Sequence, residues 1–234
     1  MEVYIGVGIL LFFLTFLAYA IVQGQLRAKA MKQLAESLNF SVVPLDGDEE
    51  ETFIQSLSRL PLFTRGSQRG VWNVIKGTMH DTPITILDYR YSYRNSNSRP
   101  CLQTVLLFEW PGLNLPVFSL RAQTQRDKPG QDFLLSIMPM AQSLMPHTID
   151  MSEHQEFAQR FWLQGTQKNE QTVRKLFNDD VVHFFERHNN LSTDAAGTKI
   201  AVYHMKKEIS PRNMQAAIDR GLDICRLLQN VHHD

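Results

Sequence analysis

The N-terminal segment of the chain is a long apolar run that carries no charge. Residues 3–22 read VYIGVGILLFFLTFLAYAIV, twenty positions without Asp, Glu, Lys or Arg. With a rise of about 1.5 Å per residue, a helix of this length matches the roughly 30 Å hydrocarbon core of a bilayer. Tyr4 and Tyr19 lie near its two ends, where aromatic rings favour the membrane interface. The run predicts an N-terminal transmembrane helix that contacts the lipid bilayer through residues 3–22.

A cleavable signal peptide is the alternative reading of this segment, because Ala18-Tyr19-Ala20 resembles a cleavage motif. No Lys or Arg precedes the run, and the run is longer than a usual signal-peptide core, so an uncleaved anchor is favoured. Arg27, Lys29 and Lys32 follow the run, and basic residues mark the cytoplasmic side of a span. We therefore expect a single-pass protein of the bacterial inner membrane whose domain lies in the cytoplasm.

The residues after the run divide into a stalk and two subdomains. Four apolar residues recur at a spacing of four, which predicts an amphipathic continuation of the helix. These residues are Leu26, Ala30, Leu34 and Leu38. The predicted division is 1–22 as the anchor, 23–39 as a juxtamembrane helical stalk, 40–130 as an antiparallel β-rich subdomain, and 131–234 as a mixed α/β subdomain ending in a helix.

The region from Val71 to Ala122 alternates in hydrophobicity with a period of two, which is typical of β-strands. The connectors between its apolar runs are short enough for hairpins, and hairpins require antiparallel pairing. The region therefore predicts a four-stranded meander. Its predicted strands are Val71–Met79, Ile84–Tyr93, Leu102–Trp110 and Pro116–Ala122.

The second half of the chain mixes helical and strand patterns. A short helix is predicted within Gln131–Leu144 and a strand at Arg160–Leu163. Two consecutive helices are predicted at Asn169–Phe177 and Asp179–Arg187, followed by a hairpin whose turn is Asp194-Ala-Ala-Gly197. The last helix begins after Ser210 and Pro211 and carries an apolar stripe. The predicted fold class is α+β: a transmembrane helix, then an antiparallel meander packed by helices, with a long C-terminal amphipathic helix.

Several short motifs resemble those of a loose group of uncharacterised bacterial proteins with one N-terminal transmembrane helix and an α+β domain. The motifs are Leu60-Pro-Leu-Phe-x-x-Gly66, Asn73-Val-Ile-x-Gly77, Asp88-Tyr89-x-Tyr91, Gln103-Thr104-Val105, Leu115-Pro116-x-Phe118-x-Leu120 and Phe157-x-x-x-Phe161-x-Leu163-x-Gly165. They are mainly apolar or turn-forming. The resemblance implies the anchor and the architecture, and it implies no catalytic residue.

No motif of the chain indicates catalysis, a cofactor or a metal. Ser67 follows Gly66 directly, so it does not occupy the nucleophile position of a G-x-S-x-G elbow. The eight histidines include no HExxH pair. Cys101 and Cys225 are far apart and outside any CxxC, which favours two buried cysteines in a reducing compartment. In a periplasmic domain, a disulfide between them would be the alternative.

Positive charge is concentrated in residues 57–130, where ten Lys or Arg stand against four Asp or Glu, a net charge of +6. Three tyrosines alternate along the strand that ends at Tyr93. A basic, aromatic surface suits anionic lipid headgroups or a protein partner, and its bland alternative is a solvated face. The whole chain has no net charge, so no nucleic acid is expected. The residues predicted for this surface are Arg65, Arg69, Arg90, Arg94 and Arg99.

These observations predict a membrane-anchored, non-enzymatic binding module that presents its α+β domain to a protein partner or to lipid headgroups. The alternative is a membrane-tethered enzyme, a hydrolase, whose active site is assembled from residues distant in sequence. A pocket that collects His, Asp or Glu with perturbed acidity would favour the enzyme. An apolar patch without such groups would favour the module.

Overall fold

One antiparallel sheet organises the protein. The structure is a computed structural model that describes residues 2–92, 100–123 and 146–233. Over these residues nine strands form one sheet in the order β1-β2-β3-β4-β9-β8-β5-β7-β6, with antiparallel neighbours throughout. The strands are β1 Ser41–Val43, β2 Ser67–Met79, β3 Thr82–Ser92, β4 Cys101–Glu109, β5 Leu115–Ala122, β6 Pro146–Thr148, β7 Phe161–Thr166, β8 Ser192–Gly197 and β9 Lys199–Tyr203.

Helices and short 3-10 turns cover the two faces of the sheet. The α-helices are α1 Glu2–Leu38, α2 Asp48–Ser56, α3 Gln155–Arg160, α4 Glu170–Leu176, α5 Asp179–Arg187 and α6 Met214–His233. The 3-10 turns are Pro61–Thr64, Gln167–Asn169 and Pro211–Asn213. The α+β content that the sequence predicts is confirmed. The predicted helix within Gln131–Leu144 lies outside the described residues.

The predicted transmembrane helix is wrong. Across residues 2–92, 100–123 and 146–233, no helix is both long and apolar enough to cross a membrane. The segment belongs to α1, one continuous helix of 37 residues that ends on the sheet. Met31 and Ala35 in its C-terminal half are each 1% exposed in the domain core. This half of the helix, which falls within the predicted stalk 23–39, therefore packs on the domain.

Single-pass anchoring in the inner membrane is wrong for the same reason, and so are the bilayer contact through residues 3–22 and the orientation inferred from flanking charge. Arg27 was one of the three basic residues that supported this orientation. Its guanidinium instead forms ion pairs within the domain, at 2.6 Å from Asp88 and 3.1 Å from Glu208. A positive charge held by two carboxylates of the same domain gives no information about a membrane surface.

The predicted meander is correct for its first three strands and wrong for the fourth. Strands β2, β3 and β4 are consecutive neighbours in the sheet. Strand β5 pairs with β8 and β7, because the β8–β9 hairpin lies between β4 and β5. The connector after β4 crosses the end of this hairpin, where the backbone N–H of Trp110 donates to the carbonyl of Thr198 at 2.8 Å. A short connector can therefore join strands that are not paired.

The β8–β9 hairpin is confirmed, but its turn lies further along the chain than predicted. Gly197 has a φ of 62°, the left-handed conformation that glycine adopts without steric cost. Asp194 is consequently not a turn residue. It lies within β8 with an exposure of 0% and pairs in register with Ser119 of β5.

Each face of the sheet carries its own hydrophobic cluster. The larger cluster includes residues of α1 and of α3 to α6, among them the predicted stripe of the last helix. That stripe, Met214, Ala217, Ile218, Leu222, Cys225 and Leu228, is buried as expected. The smaller cluster joins α2 and the turn Pro61–Thr64 to the other face. Cys101 belongs to the smaller cluster and Cys225 to the larger one, so the two buried cysteines lie in different parts of the core.

The helix boundaries follow from local chemistry. Asn39 ends α1 with a φ of 56°, as its αL tolerance allows. Asn178 caps α5 by accepting a hydrogen bond from the N–H of Val181 at 3.1 Å. Gly47 is the N-cap residue of α2, and Glu50 in its first turn accepts a hydrogen bond from the N–H of Val71 in β2 at 2.8 Å.

Replacing Gly221 by alanine should destabilise the domain, because a Cβ at this position of α6 would overlap the ring of Phe108 on β4. We expect the free energy of unfolding to fall by about 1–3 kcal/mol, the usual cost of overpacking a core. Gly24→Ala is the matched control, since nothing lies within 4 Å of that position in α1. It should leave the free energy of unfolding unchanged or raise it by up to about 1 kcal/mol. Denaturant unfolding measures both, and equal effects would contradict the packing of α6 on β4.

Candidate functional site

The arginines of the predicted basic surface lie in different environments. Arg65 is only 4% exposed and lies inside the domain. Arg69 is exposed, and its Nη1 donates to the carbonyl of Phe63 at 2.8 Å. Arg90 is exposed on β3. Arg94 and Arg99 lie outside the described residues. Among the residues described, Arg69 and Arg90 are the members of the predicted set that reach the surface.

Arg65 belongs to a buried polar cluster that spans four segments of the chain. Its Nη2 lies 3.3 Å from Asp194 Oδ2 and donates to Ser119 Oγ at 2.6 Å, and its Nη1 donates to the hydroxyl of Tyr203 at 2.9 Å. Ser119 and Tyr203 both donate to Asp194 Oδ1, at 2.8 and 3.1 Å. The backbone N–H of Leu62 donates to Asp194 Oδ2. One carboxylate thus organises donors from β5, β9 and the turn before β2.

The electrostatics of this cluster favour a structural role. Burial lowers the pKa of Arg65, but the interactions with the oxygen of Tyr203 and with the carboxylate of Asp194 more than offset it, so its pKa is raised and the guanidinium stays protonated. Burial also raises the pKa of Tyr203, which keeps its hydroxyl a hydrogen-bond donor. Ser119 donates to a carboxylate and contacts no histidine, and the cluster is 0–4% exposed. These residues stabilise the second face of the sheet and lack access to a substrate.

A second polar cluster fixes α1 on the first face. Arg27 binds both carboxylate oxygens of Asp88, with Nη2 at 2.6 Å and Nε at 2.8 Å. Asn73 donates to Oδ2 of Asp88 at 2.8 Å and Thr104 to Oδ1 at 2.9 Å. Burial raises the pKa of Glu208, the other carboxylate that contacts Arg27. Because every oxygen of the buried Asp88 is satisfied internally, this cluster also serves the fold.

Sequence reasoning missed both clusters for different reasons. Asp88 stands in the motif Asp88-Tyr89-x-Tyr91 on an apolar strand, and a lone carboxylate there signals a buried partner. Asp194 precedes two alanines and a glycine, which indicates a turn, so its sequence context hides its role. Neither Arg27 nor Arg65 can be assigned to its aspartate from sequence, because 61 and 129 positions separate the partners.

A pocket of about 230 Å³ lies at the other end of the sheet, between β7 and α3. Strand β6 pairs with residues 164–166 of β7, and the chain then leaves the sheet after Thr148. The N–H of Ile149 donates to the carbonyl of Leu163 at 2.9 Å, which holds the departing segment over the start of β7. The pocket is lined by Thr148, Ile149, Asp150, Met151, Ala158, Phe161, Trp162 and Leu163.

The floor of this pocket, which we call the β7–α3 pocket, is apolar. Ile149, Met151, Phe161 and Leu163 are 1–4% exposed and belong to the larger hydrophobic cluster. Trp162 is partly exposed in the wall. Among the residues that line it, Asp150 is the titratable one, and it is exposed at the rim. The pocket offers an apolar surface with polar groups at its edge, and no acid–base pair.

The described part of the chain contains no group of side chains arranged as a metal site. Across those residues, no three His, Cys, Asp or Glu side chains are arranged to hold a metal ion. Two histidines each contact a single carboxylate, His147 with Glu170 at 3.1 Å and His154 with Asp179 at 3.8 Å.

Comparison with known proteins finds a likeness in structure and none in sequence. No protein-family model and no curated protein matches the chain. A crystal structure described as the mycobacterial trehalose monomycolate transport factor A, TtfA, is similar, with a TM-score of 0.55 and 13% sequence identity. The match covers 88% of this chain and 93% of that chain. The two proteins share a fold. The predicted resemblance to the group of bacterial proteins stays a prediction.

Substitution of Asp194 tests the structural role of the buried cluster. Asp194→Asn leaves Arg65 buried without a counter-charge, so we expect the free energy of unfolding to fall by about 3–5 kcal/mol. Arg65→Met alone should also lower the free energy of unfolding. The double variant should lower it by less than the sum of the two single effects, because both single substitutions break the same ion pair. Denaturant unfolding of the four proteins gives the coupling.

The exposed turn residue Asp81 is a control for loss of a carboxylate, and Asp81→Asn should change the free energy of unfolding by less than about 0.5 kcal/mol. Additive losses for Asp194 and Arg65 would contradict their pairing.

Proposed function

We propose that the protein is a non-enzymatic binding module that holds the apolar part of a lipid-like ligand in the β7–α3 pocket. The observation that carries the proposal is the pocket itself, whose floor consists of buried apolar side chains that surround no catalytic group. An apolar concavity with a few polar groups at its edge is typical of small-ligand sites. The alternative of a hydrolase lacks support, because the buried Ser119 and Asp194 are engaged in the fold.

The size of the pocket limits how much of a ligand it holds. Pockets that enclose a whole small-molecule ligand have volumes of about 300–1,000 Å³. The β7–α3 pocket has about 230 Å³, so it accommodates an alkyl segment and leaves the rest of the ligand outside. The similar protein is named for transport of trehalose monomycolate, a lipid, which is compatible with a lipid-binding role for the shared fold.

The basic residues that reach the surface form a separate part of this proposal. Arg69 and Arg90 lie on β2 and β3, near the opposite end of the sheet from β7. We propose them as contacts for a protein partner or for anionic headgroups, as their charge favours. A ligand in the pocket and a partner at these arginines would not compete for space.

Filling the pocket tests this function. Ala158→Trp places an indole in the wall, and we expect weaker binding of decyl glucoside, an uncharged single-chain probe, measured below its micelle concentration by calorimetry. Each methylene kept in water costs about 0.8 kcal/mol, so displacing two of them weakens binding about tenfold.

Ala216→Trp is the matched control, because Ala216 is exposed on α6. It should leave the affinity for decyl glucoside unchanged. An ester-linked chain of the same length should be recovered intact after incubation with the protein. Equal binding by both tryptophan variants would contradict the site, and hydrolysis of the ester would contradict the absence of catalysis.

A further inference from the structure

We infer that Asp150 makes the β7–α3 pocket selective for amphiphiles whose polar end donates hydrogen bonds and carries no negative charge. The inference rests on the proposed function, because it assumes that an apolar chain occupies the pocket. It adds the chemical class of the polar end.

Asp150 lies at the junction between the apolar floor and solvent. Its side chain is exposed, whereas its neighbours Ile149 and Met151 are 3% and 4% exposed and contribute to the floor. Thr148, two positions before Asp150, is also exposed and lines the pocket. The alkyl chain of a ligand that lies over Ile149 and Met151 would therefore place its polar end beside the carboxylate of Asp150 and the hydroxyl of Thr148.

The carboxylate of Asp150 is held in place by Ser152. The backbone N–H of Ser152 donates to Oδ1 at 3.0 Å, and its hydroxyl donates to Oδ2 at 3.1 Å. Each carboxylate oxygen has two lone pairs, so both oxygens keep the capacity to accept another hydrogen bond. A hydroxyl or ammonium group of a ligand can supply that donor, and a carboxylate or phosphate group cannot.

Two acidic side chains that follow Asp150 in the sequence are paired with arginines. Glu153 lies 2.7 Å from Arg174, and Glu156 lies 2.9 Å from Arg160. Within the described residues, the ion pairs leave Asp150 without a basic partner. Among the described residues, Asp150 therefore contributes a negative charge to the rim that no ion pair neutralises.

Arg121 does not neutralise the negative charge of Asp150 at the rim of the pocket. It is 4% exposed, lies 5.9 Å over the ring of Trp162, and is not among the residues that line the pocket. Its charge also acts on Tyr203 of the buried cluster, whose pKa it lowers against the larger effect of burial. A ligand that enters from solvent meets the carboxylate of Asp150 at the rim.

The size of the preference between ligand head groups follows from one charge, that of the solvent-exposed Asp150. Two unit charges about 4 Å apart in water interact with about 1 kcal/mol, which is a factor of about five in affinity. A cation gains this factor and an anion loses it, and exposure and salt reduce both effects. We therefore expect about a tenfold preference for a cationic over an anionic head at low ionic strength.

Three probes with the same chain and different heads test the inference: decylammonium, decyl glucoside and decanoate, each titrated into the full-length protein below its micelle concentration. We expect decylammonium to bind about tenfold tighter than decanoate, with decyl glucoside between them or equal to decylammonium. Added salt should reduce the ratio. Asp150→Asn should bring it close to one while decyl glucoside binding persists.

Asp219→Asn is the matched control, since Asp219 is an exposed carboxylate on α6, and this variant should keep the wild-type ratio. Equal or tighter binding of decanoate by the wild-type protein would overturn the inference and leave the proposed function standing. The same holds if Asp150→Asn retains the preference. If Ala158→Trp weakens the binding of none of the three probes, both the inference and the proposed function fail. That result would follow if the pocket binds a protein side chain and not a lipid-like ligand.

Discussion

The carboxylate of Asp194 joins parts of the chain that are far apart in sequence. It accepts hydrogen bonds from the turn before β2, from β5 and from β9, and it neutralises the buried Arg65. It occupies this position because the β8–β9 hairpin lies between β4 and β5. A buried charge that loses its partner costs several kcal/mol, so the geometry of the second face depends on this contact.

Burial and internal hydrogen bonding give the two polar clusters of the described residues a role in the fold. Asp88 and Asp194 are each 0% exposed, and their oxygens accept hydrogen bonds from an arginine and from hydroxyls of the fold. A group that is fully satisfied and closed to solvent contributes stability, not chemistry. The β7–α3 pocket has the opposite character, since its buried floor is apolar and its polar groups lie at an open rim.

Local patterns in the sequence predicted local structure. The alternation over β2 to β4 and the apolar stripe of α6 correspond to the observed elements, because each pattern reflects one buried face. Contacts between distant segments were not predictable. The insertion of β8 and β9 beside β4 has no sequence signal, and the pairing of Arg27 with Asp88 turns an apparent membrane-flanking charge into an internal one. The pocket lies where the chain leaves β6 beside β7, and its lining comes from segments that no local pattern places together.

Methyl NMR of the labelled protein tests the central claim, that the β7–α3 pocket binds an apolar chain, most directly. On titration with decyl glucoside, the account predicts chemical-shift changes concentrated on the methyl groups of Ile149, Met151 and Leu163. Methyl groups of the distant core, such as those of Ile86 and Met214, should not change. Unchanged pocket methyl groups, with shifts confined to the exposed apolar residues of α1 such as Ile21, would contradict the account.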